Sequence, residues 1–444
     1  MTLAAALLIV ALVVVATLRR AEVRLTLLLG ALALGCLAGR PLEVVQAFLR
    51  YFTDEQFLLP IGCCMGFAHV LRSTGCDQHL VHLLLAPVRR IRSLLIPGVV
   101  LVGVLVNIPI ISQSSTAVAV GSVLVPVLSA ARLSPVTIGA SLVLGSSIGG
   151  ELVNPGAPEL RSVSSACNTS AIACIEHTWP LLLIHLAVTI PLFWWICARA
   201  EGRIEASAPP QEDDQTFRVH PIKALVPVLP LVLLFLTAMP PSVRLIHLPP
   251  EWLVGPDEKP GVFDTRLIGL AMLIGVVVAA LTSPAQAGQT ARVFFEGAGY
   301  ALANVTSLII VAGCFGKGIM LVGLAEPLQE AIRGAPRLLM PLAALFPLAF
   351  AWVSGSGMAS TQSLFGFFVE PTEALGTDPL RVGAVVALAA AAGRTLSPVA
   401  AVVLMAASLT ETRPLDLVRR LALPLLLGVA AVRGGRAGIL TPVT

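Results

Sequence analysis

The chain has 444 residues, of which 56% are hydrophobic and only 12% are charged, with a net charge of +4. Soluble domains carry about 25% charged residues, so the composition excludes an ordinary soluble protein, and a mean hydropathy of +0.90 indicates a chain whose solvent is lipid. The small, dispersed positive charge also gives no indication of a nucleic-acid partner.

The first half contains apolar runs long enough to span a membrane, together with two interrupted segments. In the segment 93–131 two apolar arms meet at a polar run from Ser112 to Thr116, and Arg92 and Arg132 bracket it. Positive charge at both ends favours a re-entrant hairpin. The alternative is two full spans joined by a solvent-exposed turn. The segment 134–174 is broken at 145–156. The predicted spans are 2–18, 25–40, 55–71 and 178–198. The first of them has no basic leader, so we expect it to be a retained span and not a cleaved signal peptide.

The second half, 223–444, follows the first half, 1–198, across a polar linker at 199–222 that we expect to face the cytoplasm. It contains a second predicted hairpin at 338–369, whose arms meet between Ser354 and Thr361, and a second broken helix at 381–410, interrupted from Gly393 to Pro398. The predicted spans of this half are 223–240, 265–282, 300–325 and 416–432.

The interruptions recur at a nearly constant offset. Ser354 follows Ser112 by 242 residues, and Pro398 follows Pro155 by 243. We predict an all-α polytopic membrane protein built from two repeats, each with five transmembrane helices and one re-entrant hairpin. Because five is odd, the second repeat should be inverted. The arginines largely obey the positive-inside rule in this topology, with Arg333, Arg337, Arg433 and Arg436 as exceptions.

The paired interruptions indicate a binding site. Non-helical backbone at membrane depth is tolerated only against protein or a water-filled cavity, and discontinuous helices of inverted repeats form the midplane site of many transporters. Helix N-termini at such breaks suit a carboxylate. The alternative is that glycine and proline merely kink ordinary spans.

Arg394 is the most informative single residue, because the helix segments on either side of it carry no charge. An arginine at mid-membrane costs at least about 2.5–3.5 kcal/mol on insertion scales, and its planar fork matches a carboxylate. It is either a counter-charge for a substrate carboxylate or the partner of Glu151 in a structural ion pair. Glu151 could instead carry a coupling proton or cap a helix.

Several stretches resemble the anaerobic C4-dicarboxylate carriers of the DcuC type, within the ion transporter superfamily. They are Thr74 to Leu80, Asn107 to Thr116, Gly145 to Pro158, and Gly393 to Pro398. The resemblance implies transport of succinate, fumarate or malate by symport, efflux or exchange. It also implies a homodimer in which a transport domain moves against a fixed scaffold. Some related transporters carry Ser-Asn-Thr at both hairpin tips, and this chain has no asparagine there.

We therefore expect hydroxyl groups of both tips to hold one carboxylate each, and a second set of residues near the first break to serve ion coupling. The predicted substrate-binding residues are Ser112, Gln113, Ser114, Ser115, Thr116, Asn154, Ser354, Ser356, Ser360, Thr361, Arg394, Thr395 and Ser397. The predicted ion-coupling residues are Ser146, Ser147, Gly149 and Glu151.

The predicted function is secondary active transport of C4-dicarboxylates, in the inner membrane of a bacterial cell. We expect no cofactor and no metal, with Na⁺ or H⁺ as the coupling ion. The alternatives are transport of another organic anion, cation/proton antiport through Glu151, and an intramembrane enzyme. The enzyme hypothesis is the weakest, because Glu151 and Arg394 are the evident buried ionisable pair and arginine cannot act as a base.

Overall fold

The computed structural model describes residues 2–19, 21–88, 94–201, 217–239, 246–255 and 262–434, and every regular element in these ranges is helical. The predicted all-α class is confirmed. Arg89, Arg90, Arg92 and most of the linker predicted at 199–222, including Glu212 to Asp214, lie outside the described residues.

Ten α-helices lie in the described residues before residue 202. They are α1 (Thr2–Leu18), α2 (Val23–Leu37), α3 (Pro41–Phe52), α4 (Glu55–Thr74), α5 (Cys76–Val88), α6 (Leu95–Asn107), α7 (Gln113–Ala130), α8 (Pro135–Ser147), α9 (Pro158–Ala166) and α10 (Ala171–Ala200).

The rest of the described chain adds thirteen helices. They are α11 (Pro221–Leu225), α12 (Leu229–Ala238), α13 (Val262–Thr282), α14 (Pro284–Ala287), α15 (Thr290–Ala301), α16 (Ser307–Leu321), α17 (Ala325–Gly334), α18 (Leu339–Ser354), α19 (Gly357–Leu364), α20 (Gly366–Ala374), α21 (Pro379–Thr395), α22 (Ala401–Leu409) and α23 (Pro414–Gly434).

Eight helical stretches in the described ranges are long and apolar enough to cross a membrane, and three shorter apolar helices accompany them. One of the eight runs from Pro135 to Ala166 and contains the first predicted break. The long helix α10 begins at Ala171, seven residues before the predicted span at 178–198. The total of ten spans and the inverted orientation of the repeats stay predictions.

Local sequence explains where the helices around the breaks begin. Ser134 caps α8 by accepting a hydrogen bond from the Thr137 amide, and Pro135 occupies the first helical position. Asp378 caps α21 by accepting from the Leu380 amide, again just before a proline. A side-chain acceptor at the N-cap and proline at the first position are the favoured combination for helix initiation.

Helices from the two halves pack against each other in reciprocal pairs. Helix α2 packs against α16, while α4 packs against α13. Likewise α7 packs against α22, while α9 packs against α19. Each broken helix also packs along the first arm of its own hairpin, α8 along α6 and α21 along α18. This packing places each break beside its own hairpin, and α8 also packs against α21.

Candidate functional site: two broken helices joined by a buried ion-pair cluster

The tip of the first hairpin is held by its own polar side chains. Ser112 caps α7, accepting a hydrogen bond from the Ser115 amide at 3.3 Å. The Thr116 hydroxyl and the Asn107 side-chain amide both donate to the Ile110 carbonyl, each at 3.0 Å. The non-helical residues between α6 and α7 are thereby fixed in place.

The first break packs against this tip. After α8 ends, Gly149 adopts a φ of +118°, which favours glycine, and a short 3₁₀ turn covers Gly150–Val153. The Glu151 amide donates to Asn107 Oδ1 at 3.1 Å, and Asn154 donates to the Ile108 carbonyl at 2.9 Å. Two asparagine side chains therefore satisfy backbone groups that would have no water partner at membrane depth.

The second hairpin turns in a similar way. Gly355 has a φ of +72°, and Ser356 caps α19 by accepting from the Ala359 amide at 3.2 Å. Ser360 donates to the Pro347 carbonyl in the opposite arm at 2.7 Å, and Thr361 donates to the Gly357 carbonyl at 3.1 Å. The capping serine of this hairpin is thus Ser356, two residues after the Ser354 used to measure the repeat.

Matched glycines let each broken helix approach its hairpin closely. A Cβ at Gly150 would lie 2.6 Å from the Val104 carbonyl oxygen in α6, and a Cβ at Gly393 would lie 2.2 Å from the Leu348 carbonyl oxygen in α18. Each glycine stands five residues before the proline of its break, Pro155 or Pro398. Close backbone packing at both breaks therefore depends on the absence of a side chain.

The two breaks meet at Arg394, which is only 5% exposed. Its Nη1 donates to Glu159 Oε1 at 2.8 Å, and its Nη2 donates to Glu151 Oε1 and, at 3.0 Å, to the Ser147 carbonyl. Its Nε donates to Ser147 Oγ at 3.2 Å. We call Arg394, Glu151 and Glu159 the charge cluster. The ion pair with Glu151, one of the two roles open for Arg394 from sequence, is present.

Hydroxyl groups extend this junction. Ser147 Oγ and Thr395 Oγ1 lie 2.9 Å apart, and Thr395 Oγ1 is also 2.8 Å from the Ser147 carbonyl oxygen. Gln113 at the first hairpin tip donates to Glu151 Oε1 at 3.2 Å. One network thus joins the first hairpin, the first break and the second break.

The structure brings together only some of the residues predicted for the site. Arg394, Thr395, Ser147, Glu151 and Gln113 belong to the network. Ser146 and Ser397 are fully buried, and their hydroxyls have no partner among the described residues. Ser114 and Ser115 lie half-buried in the first turn of α7. The others stabilise the turns in which they lie, and they are Ser112, Thr116, Gly149, Asn154, Ser354, Ser356, Ser360 and Thr361.

Sequence reasoning missed two buried charges on α9. Glu159 is 1% exposed and pairs with Arg394. Arg161 is 4% exposed and donates to the Gln56 carbonyl at 3.0 Å and to Thr265 Oγ1 at 2.8 Å, in α4 and α13. The available signal was that Glu151, Glu159 and Arg161 are the charged residues of the otherwise uncharged segment 134–174.

A cavity of about 190 Å³ lies next to the charge cluster, between α9, α16 and the second hairpin. Its lining includes Ser162, Lys317 and Thr361. Ser162 donates to the Pro158 carbonyl, and Thr361 to the Gly357 carbonyl. A Cβ at Gly357 would lie 3.0 Å from Glu159 Oε1 and 3.1 Å from Arg394 Nη1. The cavity is therefore about one helical turn from the cluster along both α9 and α19.

Two broken helices, two hairpins and a buried guanidinium between them define a polytopic membrane transporter built on discontinuous helices. The sequence model of the DcuC family, the C4-dicarboxylate anaerobic carriers, matches residues 57–434. The chain therefore belongs to this family.

Individual relatives agree with this assignment. The chain is 37% identical over 121 residues to an uncharacterized transporter of Haemophilus influenzae, a match that covers 27% of this chain and 83% of that protein. It is 23% identical over 403 residues to the anaerobic C4-dicarboxylate transporter DcuC of Escherichia coli K12, covering 88% of this chain and 82% of that protein. The crystal structure of the Alcanivorax borkumensis YdaH transporter has a similar fold, with a TM-score of 0.58, 18% identity and 89% coverage of both chains.

These comparisons confirm the family, the membrane-protein class and the prediction of a transporter rather than an enzyme.

Proposed function

We propose that the chain transports C4-dicarboxylates such as succinate, fumarate or malate across the inner membrane of a bacterial cell. The substrate class is supported by the family, whose description is C4-dicarboxylate anaerobic carrier, and by the name of the E. coli relative. The observation in this chain that carries the proposal is the buried guanidinium of Arg394 at the junction of the two breaks. A desolvated arginine fork is the strongest side-chain partner for a carboxylate.

The second carboxylate of the substrate would lie in the adjacent cavity, near Lys317. Its ammonium group pairs with Glu43 at 3.2 Å, and the Lys317 side chain is 37% exposed and lines the cavity. A guanidinium about one helical turn from the cavity and an ammonium group in the cavity lining would select substrates with two carboxylates over those with one. Serine and threonine hydroxyls of α9 and α19 would complete the polar lining.

Alternating access would follow from movement of the hairpins and broken helices, as a transport domain, against a scaffold that contains α16. We propose a homodimer as the working unit and H⁺ or Na⁺ as the coupling ion. Transport would then run on ion or substrate gradients.

Uptake of radiolabelled succinate into proteoliposomes tests the substrate class and the site together. Wild type should take up succinate, and unlabelled fumarate and malate should compete. Lys317→Gln should raise the KM for succinate by about tenfold, the loss of one exposed charged hydrogen bond, with little change for a monocarboxylate. Glu43→Gln is the matched control, because it breaks the same ion pair but keeps the ammonium group.

Equal effects of Lys317→Gln and Glu43→Gln would contradict the role given to the cavity. If wild type took up no dicarboxylate under any gradient, the substrate class would be wrong, and other organic anions and cation/proton exchange through Glu151 would be the next activities to measure.

A further inference from the structure

The charge cluster is unbalanced. Glu151 is 0% exposed, Glu159 1% and Arg394 5%, and within the described ranges Arg394 is the cation that forms an ion pair with either carboxylate. Two ionised carboxylates and one guanidinium leave a net charge of −1 in the protein interior. An uncompensated buried charge costs several kcal/mol, so two ionised carboxylates are tolerated here only while both share Arg394.

The geometry shows where a proton would be held once one carboxylate no longer shares Arg394. Arg394 contacts Oε1 of each glutamate, while Oε2 of each is buried with no hydrogen-bond partner in the described part of the chain. A protonated carboxyl group is neutral and keeps one oxygen as an acceptor. One proton on either glutamate would therefore neutralise the cluster without disturbing its hydrogen bonds to Arg394.

The two glutamates are not equivalent. Glu151 Oε1 accepts from Gln113 as well as from Arg394, whereas the described partner of the Glu159 carboxylate is Arg394. Hydrogen bonds to the charged form stabilise that form. Glu159 is thus the less stabilised anion of the pair.

We propose that Glu159 carries a proton and that the proton moves with the substrate. This inference rests on the proposed function. A substrate carboxylate that binds the Nη1 side of Arg394 displaces Glu159 Oε1, and the displaced carboxylate, buried without a counter-charge, takes up one proton from the same side of the membrane. When the substrate leaves on the other side, Glu159 returns to Arg394 and releases that proton there. One proton accompanies each substrate, and no covalent bond other than the carboxyl O–H forms or breaks.

Proteoliposomes loaded with a pH-sensitive dye and held at zero membrane potential measure both species at once. For one coupled proton, a gradient of one pH unit, acidic outside, should drive about tenfold accumulation of succinate, since a factor of ten corresponds to about 1.4 kcal/mol. The dye should report acidification of the interior that depends on succinate.

Glu159→Gln should reduce accumulation under the pH gradient to about the level without a gradient, and succinate should no longer acidify the interior. The variant should still exchange internal for external succinate, although more slowly, which shows that it folds. Glu176→Gln, at an exposed glutamate of α10, should behave like wild type. Glu151→Gln should lower exchange more than Glu159→Gln does, because in the proposed cycle Glu151 stays paired with Arg394 while the substrate is bound.

Three results would overturn the inference: gradient-driven accumulation in Glu159→Gln, wild-type accumulation driven by Na⁺ without proton entry, or wild-type transport with no proton movement. A second measurement does not need transport. The infrared difference spectrum between purified wild type and Glu159→Gln near neutral pH should contain a protonated-carboxyl band in the presence of saturating succinate, and its absence would also overturn the assignment. If wild type carried no dicarboxylate, the substrate class would fail separately, and the same difference spectrum recorded without succinate at low pH would still report whether Glu159 binds a proton.

Discussion

At the scale of single residues, Arg394 combines two roles that sequence reasoning treated as alternatives. It is paired with Glu151 and Glu159 in this structure, and in the proposed cycle a substrate carboxylate reaches it by replacing Glu159. The ion pair and the counter-charge hypothesis are then two states of one residue. Such an exchange keeps the guanidinium hydrogen-bonded throughout, which avoids the cost of an unpaired buried charge.

Arg394→Lys tests whether the fork is needed in addition to the charge. Lysine retains the positive charge but is a compact point charge that cannot make the parallel contacts of the guanidinium. We expect succinate uptake to fall by at least about a hundredfold, since truncating a buried charged pair costs about 3–5 kcal/mol. Uptake in proteoliposomes of matched protein content is the measurement.

Arg292→Lys is the control for that experiment, because Arg292 is an exposed arginine of α15 whose side chain is 82% accessible and pairs with Glu296. This substitution should leave succinate uptake unchanged. Full activity in Arg394→Lys would show that the positive charge alone suffices and that the parallel contacts of the guanidinium are not needed.

At the scale of helices, the sequence predicts the breaks well and their partners poorly. Glycine and proline act on the backbone of their own residue and its neighbours, so the breaks near Pro155 and Pro398 are visible in the sequence. Glu159 contacts Arg394 across 235 residues, and no local pattern encodes that pairing. Helices α3, α5 and α17 also escaped prediction, because their apolar residues do not form a continuous membrane-length run.

Gly150→Ala and Gly393→Ala test the close packing of each broken helix on its hairpin. The added methyl groups would meet backbone carbonyl oxygens at 2.6 and 2.2 Å, and backbone cannot rotate aside as a side chain can. Overpacking of this kind costs about 1–3 kcal/mol, with the larger effect expected at Gly393. Thermal unfolding in detergent should show a lower Tm for both variants.

Gly299→Ala is the matched control, since a Cβ at Gly299 in α15 meets no atom within 4 Å. Alanine is favoured over glycine inside a helix by about 1 kcal/mol, so this variant should keep or raise the Tm. Unchanged Tm values at Gly150 and Gly393 would mean that the hairpins can shift at little cost.

At the scale of the whole molecule, the reciprocal helix pairs suggest which parts move together. Helices α9 and α19 belong to the two breaks and hairpins and pack on each other, while α16 lies beside α19 and packs on α2 and α3. Ser363 of α19 donates to the Ala312 carbonyl of α16 at 3.3 Å. The contact between α16 and α19 is therefore where a moving hairpin would slide against the scaffold.

A disulfide between α16 and α19 tests that movement. A Cβ at Gly316 would lie 3.7 Å from the Ser363 Cα, so the two Cα atoms are near the separation of about 4.4–6.8 Å that is usual in a disulfide. In a chain whose eight free cysteines have been replaced, oxidised Gly316→Cys/Ser363→Cys should lose succinate uptake, and reduction should restore it. The two single variants, oxidised in parallel, control for the substitutions. Uptake at wild-type rate in the fully cross-linked protein would rule out sliding at this contact.

The ion pair between Glu151 and Arg394 also constrains the history of the chain. Both residues stand four positions before the proline of their break, so they occupy matching places in the two halves. In a dimer of two identical half-length chains, that place would hold the same residue twice, and this ion pair could not form. If the two halves arose by duplication, the opposite charges required two separately encoded copies, and once the charges were present neither half could be exchanged for a copy of the other.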